Sequence, residues 1–139
     1  MNVAIVGRRG TGKTTWCYKI VGLDAPVRPY GTSTVNFMSC QLSGKSINVW
    51  DCPAGLGRHF ENMLHTMSVL VVCYNGRCIQ GSIKALTLKY NKPIIIAVTR
   101  LCPWSFLHLS DLQNVTGCNV IPVCTSQSEL QQAILRTGT

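Results

Sequence analysis

The chain has 139 residues, 46% of them hydrophobic, which suits one globular domain spanning 1–139 and excludes a disordered chain. Thirteen Lys and Arg against five Asp and Glu leave a formal charge of +8. The cations are scattered from Arg8 to Arg136 without a run, so the balance favours anionic ligands and excludes a dedicated nucleic-acid surface.

Residues 2–7, NVAIVG, read as a buried strand, and 13–21, KTTWCYKIV, as a helix that starts at the end of a glycine loop. Two Pro and two Gly mark 22–34 as a loop. VNFMSCQL (35–42) and KSINVWD (45–51) are extended runs joined by Ser43-Gly44, a two-residue hairpin signal. An irregular, Gly-rich stretch follows at 52–62. MSVLVVCY (67–74) and PIIIAVT (93–99) are buried strands, too short to span a membrane, with helical spacing of Ile79, Ile83, Leu86 and Tyr90 between them. After a loop and one short helix over 100–117 come a last strand at 119–124 and a last helix at 128–136. Ser126 or Ser128 is its cap. Continuous apolar strands need cover on both faces. The expected fold is therefore α/β: a mostly parallel sheet of about six strands, one antiparallel strand at its edge, helices on both faces.

Of eight cysteines, Cys73 and Cys124 lie inside strand-like runs and read as small core hydrophobes. No C-x-x-C pair suggests zinc. With no export leader before the first strand, a reducing cytoplasm is the expected compartment. Asn2 and the final LRTGT carry neither a myristoylation nor a prenylation signal, so no lipid anchor is expected and at most weak attraction to anionic membranes.

Gly7-Arg8-Arg9-Gly10-Thr11-Gly12-Lys13-Thr14 fits G-x-x-x-x-G-K-S/T, with the strand before and the helix after that the pattern requires. Glycines let backbone N–H groups turn inward around a phosphate, and the helix N-terminus adds partial positive charge. Lys13 then bridges β- and γ-phosphate oxygens, and Thr14, with Thr15 beside it, stands at the start of the helix, Thr14 as a ligand to Mg²⁺. A second anchor for the metal belongs on a neighbouring strand. INVWD supplies it in Asp51.

These residues resemble a small GTPase of the Ras, Rab or Arf type over nearly the whole chain. The resemblance rests on GRRGTGKT, on STVNF…SGKSINVWD, on DCPAG followed by Arg58 and Phe60, and on Cys124-Thr125-Ser126. It implies a P-loop G domain that binds GTP or GDP with Mg²⁺. It implies a switch I threonine that binds the metal and senses the γ-phosphate. Thr32 has the family's spacing from the lysine and Thr34 the more family-like neighbours. From Asp51 to about His65 would run switch II, with the N–H of Gly55 meeting the γ-phosphate. Cys124, Thr125 and Ser126 would help hold the guanine through their backbone.

Four departures bear on function. Where the family reads guanine with N/T-K-x-D, this chain has Thr99-Arg100-Leu101-Cys102. The stem of Arg100 can stack on a purine, but Cys102 replaces the carboxylate that accepts two guanine hydrogen bonds, so GTP over ATP is implied by resemblance alone. The water-positioning Gln after the switch II glycine is missing: Leu56 follows Gly55, or Gly55 follows Ala54 if the register shifts by one. His59 is the one candidate substitute. Arg9 sits where the family places a small residue facing the γ-phosphate. It is either a cis arginine finger or a plug that excludes water and adds ground-state binding, which does not lower the barrier. Finally, the chain is short and its later helices trimmed. Such wear suits a copy acquired by a virus or parasite, which would act in the host cytoplasm.

The reading that follows is a monomeric, slowly hydrolysing GTP-binding switch protein that meets effectors or regulators through switch I, switch II and the edge strand 35–42. Two alternatives stand beside it: a pseudo-GTPase binding module, and a P-loop nucleoside or nucleotide kinase.

Overall fold

The structure, a computed structural model, describes residues 1–7, 12–22, 36–52, 62–74, 89, 92–98, 119–121 and 126–137. Strand β1 (Asn2–Val6) is apolar and buried from Val3 onward because it lies inside the sheet, parallel to both neighbours. β2 (Asn36–Leu42) and β3 (Lys45–Asp51) form an antiparallel hairpin from Leu42↔Lys45 to Asn36↔Asp51. Its turn, Ser43 (φ 50°) and Gly44 (φ 78°), is left-handed at both residues, which matches the twist of the flanking strands. β4 (Val69–Tyr74), β5 (Ile94–Val98) and β6 (Asn119–Ile121) complete a six-stranded sheet of order β2-β3-β1-β4-β5-β6. Every neighbouring pair except β2–β3 is parallel, as expected from the sequence.

Two helices cover one face. α1 (Lys13–Val21) and α2 (Gln127–Thr137) bring Trp16, Cys17, Ile20, Leu130 and Ile134 onto Val3, Ile5, Val49, Val71 and Ile95. Truncating a fully buried side chain such as Ile5 to Ala costs about 2–5 kcal/mol. α1 stops at Gly22, whose φ of 83° lets its N–H donate to Tyr18 O at 2.9 Å. α2 opens on Ser126, whose Oγ accepts the N–H of Glu129 at 3.2 Å, so Ser126 and not Ser128 is the cap. Gln131 Nε2 then donates to the carbonyl of Ile20 at 2.8 Å, tying the last helix to the end of the first.

On the opposite face Ala4, Val6, Leu70, Val72 and Ile96 pack with Leu64 and Met67. The helical turn at 62–64 covers this face through Leu64. The helix expected over 77–90 lies outside the described residues apart from Lys89, which is helical.

Element bounds differ slightly from the sequence reading. The strand expected from Met67 begins at Val69, because the N–H of Met67 turns back to Leu64 O at 3.3 Å to close a short helical turn. The last helix extends one residue beyond 128–136 at each end. Of the strand expected at 119–124, residues 122–124 lie outside the described residues. Among the described residues, no helix is long and apolar enough to cross a membrane.

Candidate nucleotide-phosphate site

The site is built where β1 and β3 end side by side. Ile5 pairs with Asp51, and the N–H of Cys52 carries the ladder one step further to Ile5 O at 3.1 Å. The chain leaves β1 at Gly7 and returns at Gly12, the residue that caps α1 with φ 84° and ψ 22°. That left-handed conformation strains any residue with a Cβ, which explains why the motif needs glycine there. The cap makes no side-chain hydrogen bond and the first turn of α1 holds no acidic residue of its own.

Lys13 and Thr14 are the first two residues of α1, and both are buried. Thr14 Oγ1 donates to Asp51 Oδ2 at 2.8 Å, a buried contact between the helix and the end of β3. Asp51 is fully buried, its Oδ1 included. Buried lysines and carboxylates are rare unless matched by charge or hydrogen bonds. Here they share one neighbourhood: Asp51 raises and Lys13 lowers the pKa of the same three thiols, Cys17, Cys52 and Cys73. Burial is the larger cause for each. It pushes Cys52 and Cys73 up to about 12 and Cys17 higher still, so all three are neutral core groups behind the site.

An ammonium group, a hydroxyl and a carboxylate brought together at a helix N-terminus fit a phosphate ester and a hard divalent cation. The donors are oxygens, the preference of Mg²⁺. The proton of Thr14 is directed to Asp51, so the hydroxyl oxygen is the side a metal would meet.

Of the residues singled out in the sequence, the structure unites Gly12, Lys13, Thr14 and Asp51, with Gly7 at the end of β1. Thr15 is exposed on α1, and Ser126 is occupied as the cap of α2. Arg8, Arg9, Gly10, Thr11, Thr32, Thr34, Gly55, His59, Thr99, Arg100, Cys124 and Thr125 lie outside the described residues. The sequence reading passed over Cys17, although it stands four residues after Lys13 and so shares its helix face. It also missed the aromatic pair Phe37–Trp50 on the far side of β3, with ring centroids 4.7 Å apart.

Residues 2–100 match the sequence profile of the 50S ribosome-binding GTPase family. The chain belongs to that family. The matched span takes in the phosphate loop, the hairpin and Asp51. No curated protein matches this GTPase-family chain by sequence. Its fold is that of the cytosolic domain of the T. maritima FeoB iron transporter in GMPPNP form, at 20% identity and a TM-score of 0.72 over 100% of this chain and 64% of that one. The same holds for a point variant of Aquifex aeolicus Era bound to GDP·AlF4⁻, at 18% identity and TM-score 0.76 over 98% of this chain and 56% of that one. The Trypanosoma brucei small GTPase Arl6 with bound GppNp gives 12% identity and TM-score 0.64 over 99% and 98%. The chain thus spans under two thirds of the first two. At these identities the likeness establishes the fold: a P-loop G domain of the small-GTPase type, as the motifs imply.

Proposed function

We propose that this G domain binds GTP and GDP with Mg²⁺ and serves as a switch whose own hydrolysis is slow. The observation that carries the proposal is the buried Thr14–Asp51 hydrogen bond at 2.8 Å beside buried Lys13, at the mouth of a glycine loop. In this reading Gly7, Arg8, Arg9, Gly10, Thr11 and Gly12 wrap the phosphates, and Lys13 supplies the charge that meets the β- and γ-oxygens. Thr14 and Asp51 hold the metal, joined by Thr32 or Thr34. Magnesium, when bound, neutralises the charge that gathers on the phosphoryl oxygens. Thr99 and Arg100 flank the base, helped by Cys124, Thr125 and Ser126.

Slow hydrolysis rests on two sequence features. Leu56 follows Gly55 where a glutamine would order the attacking water, and Arg9 crowds the place of the γ-phosphate. Arg9 adds ground-state attraction, and uniform attraction of that kind leaves the barrier unchanged, whereas Lys13, on the β- and γ-oxygens, is a catalytic group of this reading. His59 is left to position a water, with the N–H of Gly55 toward the γ-phosphate.

The deciding experiment denatures the purified chain, identifies the nucleotide released and follows turnover with Mg²⁺. Bound GTP or GDP with slow turnover supports the proposal. Turnover that requires a phosphate acceptor indicates a kinase, and absence of nucleotide a pseudo-GTPase. Lys13→Ala abolishes nucleotide binding in calorimetry, whereas retained micromolar affinity rejects the site.

A further inference from the structure

The sheet order leaves one side of the phosphate site for a base. Lys13, Thr14 and Asp51 gather where β1 and β3 end. β4, β5 and β6 follow on the other side of β1, each parallel to its neighbour, so the chain leaves all of them on the edge where it leaves β1. Ligands of open α/β sheets lie along that carboxyl edge. The inference drawn from this rests on the proposed function, in which the base is flanked by the residues that follow β5 and β6. These are Thr99 and Arg100, directly after Val98, and Cys124 to Ser126, directly before α2.

Guanine differs from hypoxanthine by one group, the 2-amino. Its N1–H and N2–H₂ point the same way, and a carboxylate can accept from both at once. Carboxylates are scarce in this chain: Asp24, Asp51, Glu61, Asp111 and Glu129. Asp51 is fully buried at the phosphate end and accepts the proton of Thr14 at 2.8 Å. Glu129 is exposed on the first turn of α2. Its N–H donates to Ser126 Oγ at 3.2 Å, which commits a lone pair of that hydroxyl to the helix. Of the other three, only Asp111 stands between β5 and β6 in the chain.

The run that leaves β5 is Thr99-Arg100-Leu101-Cys102. Arg100 carries only donors, and the thiol of Cys102 is a weak acceptor. An amino group set against such a run loses its water and gains no charge-assisted bond in exchange. We infer that the base pocket does not read the 2-amino group: it takes 6-oxopurine nucleotides as a class, guanosine and inosine triphosphates alike, and Cys102 is the residue that removes the distinction. Stacking on the stem of Arg100 serves both bases equally, since it meets the ring face and not its edge.

The test measures the dissociation constants of GTP and ITP for the full chain with Mg²⁺, by displacement of a fluorescent GDP. The two agree within about threefold, whereas a carboxylate reader favours GTP at least about tenfold, the worth of one charge-assisted hydrogen bond. Cys102→Asp supplies that reader and raises the GTP-to-ITP ratio at least about tenfold. GTP more than about threefold tighter than ITP in the unaltered chain overturns the inference, and a preference that then collapses in Asp111→Asn or Asp24→Asn names the carboxylate responsible. A ratio unmoved in Cys102→Asp also overturns it when that variant keeps its cooperative melt; should the variant not fold, the ratio in the unaltered chain decides. A GTP preference rejects the base inference alone. Failure of both nucleotides to displace the probe rejects the nucleotide site beneath it as well.

Discussion

The hydroxyl of Thr14 and the carboxylate of Asp51, far apart in sequence, meet at 2.8 Å in a buried contact that joins the first helix to the end of β3. The pair has a stability role beside the metal-binding one proposed for it. Thr14→Ala deprives a fully buried carboxylate of a donor and costs about 1–3 kcal/mol in urea unfolding without nucleotide. The same variant loses the Mg²⁺-dependent gain in nucleotide affinity, and Thr14→Ser restores both. If unfolding is unchanged in Thr14→Ala, the contact does not hold the carboxylate.

On the proposed function, in which Arg9 faces the γ-phosphate, Arg9→Gly opens the space an attacking water needs. The expected result is faster GTP hydrolysis, about tenfold or 1.4 kcal/mol of barrier, with His59 or a helper protein ordering the water. Single-turnover kinetics measures it. A fall in rate instead makes Arg9 a transition-state group.

Gly22 ends α1 in the left-handed region at φ 83°, with the side-chain amide of Gln127 lying against the place a Cβ would take. Gly22→Ala meets both obstacles and destabilises the fold by about 1–2 kcal/mol. Gly44→Ala, also left-handed but in open space, carries the conformational cost alone. The amide of exposed Gln127 is the tip of a flexible side chain that can swing aside, so the two variants lose similar stability in thermal melts, and a much larger loss for Gly22→Ala would show that the amide is held in place.

Burial pushes the thiols of Cys52 and Cys73 up to about 12 from an ordinary 9.0, with Cys17 moved in the same direction. The folded chain keeps protons that the unfolded chain releases. This stabilisation is complete below about 9 and is lost as pH rises toward about 12. Within that window each thiol lowers stability by about 1.4 kcal/mol per pH unit. Urea midpoints decline across it, and Cys73→Ala makes the decline shallower. An unaltered slope would contradict the buried placement of Cys73.

The sheet was legible because its strands announce themselves twice. β1, β4 and β5 are unbroken apolar runs, the mark of strands covered on both sides, and Ser43-Gly44 dictates the hairpin. The phosphate site was legible for a related reason: Gly12, Lys13, Thr14 and Asp51 each end or begin an element, where the chain's direction is set locally. Phe37 and Trp50 were not, since nothing in NFMSCQL or KSINVWD says which alternating face lies bare until the sheet order is known. Cap choice was similarly hidden. Ser126 and Ser128 both suit an N-cap, and only the Ser126–Glu129 bond separates them. The thiols behind the site come from α1, β4 and the end of β3, and their meeting is a property of the assembled sheet.

Gln131 reaches back to the carbonyl of Ile20 across 111 residues. A polypeptide leaving the ribosome makes α1 early but cannot fasten its far end until nearly all of the chain is out. β1 waits too, since both of its neighbours are synthesised later. Such long-range closure makes for slow folding. The nascent G domain therefore keeps the apolar residues Val3 to Val6 unclosed until β3 and β4 have been made, and the end of α1 unfastened for longer still.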